Sequence, residues 1–147
     1  MVATMTLAML ILAEAPKGGA AAAADLKKMA GKWQVVSVEH GGQKKPAKEV
    51  KALTVEITGG KMIAREVKES KQEATFTVNP KAKPAAAIDF KILTGSDSSK
   101  EAKGIHKLDG DTLTLCIAEP DKDRPKVFAG KEKTGHTLMV LKRIKAR

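Results

Sequence analysis

Short runs in which apolar and polar residues alternate recur along most of this chain, and they constrain its fold more than any other feature. They lie at 32–40, 53–58, 62–67, 73–79, 88–92, 105–108, 112–117 and 137–144. An alternation with a period of two is typical of a strand that buries one face. Eight such runs in a chain of 147 residues predict a single all-β domain.

Turn-forming residues separate these runs at positions that favour tight connections. Gly59-Gly60 supplies the positive φ that a short hairpin needs, and Asp109-Gly110 is a strong signal for a two-residue type I′ turn. Lys44 to Lys51, with Pro46 and five charged residues, predicts an exposed loop before the next run. The segment 118–134 is charged and contains two prolines, which predicts a long loop.

A sheet of about eight short strands is expected to close on itself. An open sheet leaves two edges without hydrogen-bond partners, whereas a barrel removes them. We therefore expect a closed antiparallel up-and-down barrel of about eight strands. Asp25 to Ala30, with its N-cap residue and the terminating Gly31, adds a short N-terminal helix. The side chains expected inside the barrel are those of Leu53, Val55, Ile57, Phe76, Val78, Ile88, Phe90, Ile92, Leu113, Leu115 and Leu138.

Several short motifs follow one another in a characteristic order. They are Asp25-Leu26, Gly31-x-Trp33, Lys103-Gly104-Ile105, Leu108-Asp109-Gly110-Asp111-x-Leu113, Cys116, Arg124-Pro125-x-x-Phe128 and Leu141-Lys142-Arg143. In this order and spacing the chain resembles an uncharacterised lipocalin-like domain family expanded in planctomycete bacteria. The resemblance covers 25–147, and it implies a lipocalin-like barrel and export, with no assigned activity.

The resemblance also implies a structural signature made of Gly31, Trp33 and Arg143. In lipocalin-like barrels a Gly-x-Trp at the start of the first strand is matched by an arginine in the last strand, which stacks on the indole. His106 departs from the pattern, because similar sequences tend to carry a tyrosine there. Since the family has no assigned activity, no functional residue is carried over from it.

The first 24 residues differ in composition from the rest of the chain. Thr6 to Ala13 is an apolar run of signal-peptide length that is too short to span a bilayer as a helix. Ala22-Ala23-Ala24 offers a small-residue cleavage site before Asp25, although no Lys or Arg precedes the apolar run. We interpret 1–24 as a signal peptide or a disordered leader and 25–147 as the barrel domain. A periplasmic or extracellular protein with no transmembrane span in its mature form is therefore expected.

The chain is strongly basic, with a formal net charge of +10. A cut after Ala24 removes Glu14 and Lys17 together and leaves this charge unchanged. The charge comes mostly from dispersed lysines, and only one Trp, three Phe and no Tyr are present. Modules that bind nucleic acid by stacking need exposed aromatic side chains as well as charge, so we expect no nucleic-acid partner. The lysines favour a solvated surface or an anionic partner.

No convincing catalytic or metal-binding pattern is present. His40, His106 and His136 lack metal-ligand spacing, and no glycine-rich phosphate loop precedes a helix. Arg124 is explained by an ion pair that fixes the long loop, although a cluster with Asp89, Asp111 and Glu119 is an alternative. The lone Cys116 lies in a run typical of a half-buried strand, so we expect it to pack rather than react. We expect no enzyme activity, no cofactor and no metal.

Two functions remain open. The first is an exported barrel that binds a small apolar or amphipathic ligand, with room provided by Ala64, Ala74 and Ala87. The alternative is a barrel with a solid core that engages an anionic envelope component or a protein partner through its lysine-rich surface. The candidate ligand-binding residues of the first are Val55, Ile57, Phe76, Ile88, Phe90, Leu113 and Leu115.

Overall fold

The chain forms a closed β-barrel in the computed structural model, which describes residues 19–66, 71–96, 98–131 and 134–145. The two helices are α1 (Gly19–Met29) and α2 (Ala47–Lys51). The strands are β1 (Gly31–His40), β2 (Gln43–Lys44), β3 (Leu53–Thr58), β4 (Lys61–Glu66), β5 (Lys71–Asn79), β6 (Ala87–Ile92), β7 (Glu101–Asp109), β8 (Thr112–Ile117) and β9 (Thr137–Arg143).

Antiparallel pairing runs without interruption around the barrel. From β3 to β9 each strand pairs with the next along the chain, and β1 pairs with both β3 and β9. The β1–β9 pairing extends from Trp33 opposite Arg143 to His40 opposite Thr137. The two-residue β2 only folds back on the end of β1. Eight strands therefore close the barrel in up-and-down order, which confirms the predicted fold class and its N-terminal helix.

The two ends of the barrel are built differently. Helix α1 packs at the end where β1 begins, and its Ala22 and Met29 are fully buried in the core. The tight β3–β4 and β7–β8 turns lie at this closed end, because β3 and β7 run toward it. The longer connections that follow β1, β6 and β8 lie at the other, open end.

The core consists of the inward-facing side chains of the strands together with α1. All seven candidate ligand-binding residues are buried in it: Val55, Ile57, Phe76, Ile88, Phe90, Leu113 and Leu115. The placement of Leu138 inside the barrel was wrong. Met139 and Leu141 pair with the inward-facing Leu115 and Leu113, so Leu138 lies opposite Cys116 on the outer face.

Local predictions differ from the structure in both helices, in the β7–β8 turn and in β7, which begins at Glu101 rather than Ile105. Helix α1 begins at Gly19 rather than Asp25, because the alanine-rich stretch before Asp25 is itself a strong helix former. The segment before β3 contains the short helix α2, which buries Val50. In the β7–β8 hairpin Asp109 pairs with Thr112, so the turn residues are Gly110 and Asp111. Only Gly110 has a positive φ there, which is the pattern of a type II′ turn rather than type I′.

The long connection after β8 covers the outer face of β6, β7 and β8. Arg124 in this connection donates from Nη1 to the carbonyl of Gly104 at 2.8 Å, and its Nη2 lies 2.7 Å from Oδ1 of Asp89. The buried Cys116 thiol donates to the carbonyl of Ala129 at 3.5 Å. The expected ion pair that fixes this loop is therefore present.

Trp33 and Arg143 join the barrel to the end of α1. The Arg143 guanidinium lies over the fully buried Trp33 ring, with Cζ 4.4 Å from the ring centroid. Arg143 Nη1 donates to the carbonyl of Ala30 at 2.7 Å, and Trp33 Nε1 donates to the carbonyl of Met29 at 2.9 Å. Three elements, α1, β1 and β9, are thus held at one point.

We expect the Trp33→Ala substitution to lower the free energy of unfolding by roughly 3–5 kcal/mol, because it removes the largest buried side chain at the closed end. Arg143→Ala should be non-additive with it by about 1 kcal/mol, since the two side chains touch. Urea unfolding of the double-mutant cycle measures both values. Val36→Ala is the control on the same strand, because Val36 is 47% exposed. Additive losses for Trp33 and Arg143 would contradict the coupling.

Candidate ligand-binding cavity

The open half of the barrel contains two adjoining cavities. The first has a volume of about 350 Å³ and the second a volume of about 320 Å³. Ala64, Gln72 and Met139 line both of them. A single water takes up about 30 Å³ of liquid, so each space is larger than a few waters require. The interior is therefore packed near α1 and unfilled toward the open end.

The first cavity has apolar walls and polar groups among its lining. The walls are formed by Val35, Val38, Leu53, Val55, Ala64 and Met139. The polar residues are His40, Lys45, Glu66, Gln72 and Thr137. His40 Nδ1 lies 2.9 Å from the Thr137 hydroxyl, a contact that joins the ends of β1 and β9. A cavity with this distribution suits a molecule with an apolar body and a polar end.

The second cavity lies between β4–β6 and β7–β9. Its apolar lining includes Met62, Ala74, Phe90, Ile92, Ala102 and Ile117. Among its polar lining residues, Glu73 accepts a charge-assisted contact from the Lys71 ammonium at 2.7 Å, and this contact lowers the pKa of the half-buried Glu73 carboxyl below its usual value. The Glu73 backbone N–H donates to the Thr94 hydroxyl at 3.0 Å. These polar groups already have partners within the protein.

The candidate residues predicted from the sequence divide into two groups. Val55 lines the first cavity and Phe90 lines the second. Ile57, Phe76, Ile88, Leu113 and Leu115 line neither of these two cavities, and all are at most 5% exposed in the packed core. Ala64 and Ala74 line the cavities, as their small size suggested, whereas Ala87 lies opposite Ile105 and outside the main core cluster.

Sequence reasoning missed the polar residues of the first cavity. Lys45 lies in a segment that was predicted as an exposed loop, and the turn between β1 and β2 brings it back over the barrel opening. Gln72 and Glu66 flank the segment 67–70, where part of a predicted strand lies outside the described residues. The alternation of residues along a strand carries no information about which loop residues fold over its end.

The imidazole of His106 is a polar group that is buried at the closed end of the barrel. His106 is 3% exposed, and its Nε2 lies 3.3 Å from Oδ2 of Asp25 on α1. Its backbone N–H donates to the carbonyl of Ala86 at 2.9 Å. The buried Nδ1 has no hydrogen-bond partner among the described residues. Burial lowers the pKa of His106 below its ordinary value of 6.5, and the nearby Asp25 carboxylate opposes that shift.

The residues considered for catalysis do not form one cluster. Asp89 pairs with Arg124, whereas Asp111 contacts Arg143 Nε at 3.3 Å and Lys145 Nζ at 3.1 Å at the closed end. Burial raises the pKa of the Cys116 thiol, which makes it a weaker nucleophile at neutral pH. Within 19–66, 71–96, 98–131 and 134–145, no group of three or more His, Cys, Asp or Glu residues is placed to hold a metal ion.

Comparisons with known proteins identify no family for this chain. No family model matches the chain, and neither the characterised proteins nor the solved structures that were searched include a match. In the part of the chain that the structure describes, no helix has the length and apolar character needed to cross a membrane. Any functional conclusion therefore depends on the cavity and its residues.

The pH dependence of stability should reveal the buried His106. Because its pKa is lowered in the folded state, the unfolded chain binds more protons near pH 6.5, and the free energy of unfolding should fall as the pH drops through that value. His106→Phe removes this proton uptake. Urea unfolding between about pH 7.5 and pH 5.5 should show a larger loss of stability for the natural protein than for the variant. Equal losses of stability in the natural protein and in His106→Phe would contradict a pKa of His106 that differs between the folded and unfolded states.

Proposed function

We propose that this protein is a carrier that binds one small apolar or amphipathic molecule in the open half of its barrel. The observation that carries the proposal is the first cavity, with a volume of about 350 Å³ and six apolar lining residues. Ligand pockets in proteins commonly have volumes of about 300–1,000 Å³ and mostly apolar walls. A carrier rather than an enzyme is favoured: the lining holds one imidazole–hydroxyl contact, between His40 and Thr137, and among the described residues no carboxylate is hydrogen-bonded to His40 to orient it as a base.

The distribution of side-chain size within the barrel supports this proposal. Large side chains fill the closed half, where Met29, Trp33 and Ile57 are buried. Small side chains line the open half, where Ala64 contacts both cavities. A barrel of eight strands encloses space for either packed side chains or one small ligand. In this chain the two arrangements occupy opposite halves of the same barrel.

The alternative function needs a solid core. An interaction domain that used only its lysine-rich exterior would have no requirement for an unfilled interior, and closely packed interiors are the rule in proteins. The two cavities therefore favour the carrier over this alternative. A partner that binds the basic exterior would add to the carrier function rather than replace it, because the two use different surfaces.

The proposal extends to membership of the lipocalin-like family named above and to export. Membership is supported by the motif order in the sequence together with the Trp33–Arg143 contact. Export is supported by the apolar run from Thr6 to Ala13 and the small residues before Asp25. The proposed cut after Ala24 would remove more than half of α1, including the buried Ala22.

N-terminal sequencing of protein from its own cells tests export. We expect a mature chain that begins at Asp25, recovered from the periplasm or the medium. A chain that retains Met1 and remains in the cytoplasmic fraction would contradict the export proposal. This outcome would leave the cavity and its ligand untouched.

A neutral fluorescent probe tests the carrier function. N-phenylnaphthylamine fluoresces strongly in apolar surroundings, so we expect saturable binding to the purified protein. Ala64→Phe should reduce the affinity at least tenfold (~1.4 kcal/mol), because the added ring fills the wall shared by both cavities. Thr75→Phe is the matched control, since it places the same ring on the exposed outer face of β5. Probe binding that is absent, or equal in the two variants, would contradict the proposal.

A further inference from the structure

The first cavity has three ionisable side chains in its lining. Lys45 follows β2, His40 ends β1 and Glu66 ends β4. Lys45 and Glu66 line the same cavity, yet neither forms an ion pair in the part of the chain that the structure describes. The charges on these two residues are therefore free to act on a bound molecule.

The rim of this cavity has an excess of positive charge on one side. The connection between β1 and β3 carries Lys44, Lys45, Lys48 and Lys51, with Glu49 as its one acidic residue. Charges that line a concave, partly apolar site raise the local concentration of ions of opposite sign. This side of the rim therefore favours an anionic group.

Hydrogen bonds fix this rim to the barrel. The Lys45 backbone N–H donates to the carbonyl of Val38 at 2.9 Å, which places Lys45 over the end of β1. Gln34 Nε2 donates to the carbonyl of Leu53 at 2.9 Å and to that of Lys51 at 3.2 Å. Val50 of α2 is buried in the core at 3% exposure. The lysine is thus presented by an ordered segment.

We infer that the ligand of the first cavity is an amphipathic monoanion, with a carboxylate-type head at Lys45 and an apolar chain against Val55, Ala64 and Met139. This inference rests on the proposed carrier function. A lysine ammonium forms a charge-assisted hydrogen bond with a carboxylate, while its alkyl stem packs on the apolar wall. The His40 imidazole, which lines the same cavity, adds a further polar neighbour for the head group.

Glu66 restricts the charge of the head group. Its carboxylate lines the same cavity as Lys45, so it repels a second negative charge on a ligand. Lys45, which forms no ion pair among the described residues, matches one acidic group, whereas Glu66 would repel the second charge of a dianionic phosphate monoester without compensation. The geometry therefore selects monoanions over both neutral molecules and dianions of the same chain length.

Displacement of N-phenylnaphthylamine by matched ligands tests this inference. Dodecanoate and dodecanol share one alkyl chain and differ in the charge of the head group. At low salt and pH 8 we expect the natural protein to bind dodecanoate about tenfold more tightly than dodecanol. Lys45→Gln should lower the affinity for dodecanoate much more than the affinity for dodecanol, so that most of the preference disappears. Lys48→Gln is the matched control, because Lys48 is a rim lysine that does not line the cavity.

A second variant tests the role of Glu66. Dodecyl phosphate, which is a dianion at pH 8, should bind more weakly than dodecanoate to the natural protein. Relative to dodecanol, Glu66→Gln should improve the binding of dodecyl phosphate by roughly threefold to tenfold. Failure of Glu66→Gln to narrow the difference between dodecyl phosphate and dodecanoate would overturn the selection of monoanions.

The outcomes separate this inference from the proposed function. Equal affinity for dodecanoate and dodecanol in the natural protein would overturn the inference, while the displacement itself would uphold the carrier function. If Lys45→Gln and Lys48→Gln lost the preference for dodecanoate equally, the preference would come from the general positive charge of the rim and not from a contact with Lys45. That result would also overturn the inference. If neither the probe nor either ligand bound, the proposed carrier function itself would be overturned.

Discussion

The position of the Arg143 guanidinium at the end of α1 is the interaction on which the rest of the structure depends. It lies over the Trp33 indole and donates to the carbonyl of Lys28 in the last turn of α1 and to that of Ala30, the residue that follows the helix. A cation at a helix C-terminus is also favoured by the helix dipole. Gly31 is required beside it, because its φ is +132° and a Cβ there would lie 3.0 Å from Arg143 Nη1.

This interaction explains why the barrel has one packed end and one open end. Once α1 is fixed across the closed end, Met29 and Trp33 fill the space between the strands there. No corresponding helix of that length lies at the open end among the described residues, and the inward side chains there include Ala64 and Ala74. The volume available to a ligand is therefore a consequence of where the large and small side chains fall along the strands.

The sequence predicted the strands and barrel closure well, because alternation is visible wherever a strand buries one face. It failed for Leu138, since Leu138 to Leu141 is a continuous apolar run, and without alternation the sequence does not show which side chains face the barrel interior. It also failed to pair His106 with Asp25, which are 81 residues apart and meet only after α1 docks. The cavity position of Lys45 depends on the chain folding back after β1, which residue periodicity does not specify.

Native mass spectrometry of the natural protein and of Ala64→Phe, both purified from the source cells without detergent, tests the central claim most directly. The account predicts that the natural protein carries an extra mass that is lost on denaturation, and that the variant, in which the shared cavity wall is filled, does not. An identified anion with a single acidic group would agree with the presence of Lys45 in the lining. A natural protein whose native and denatured masses agree, or an extra mass equally present on the variant, would contradict the account.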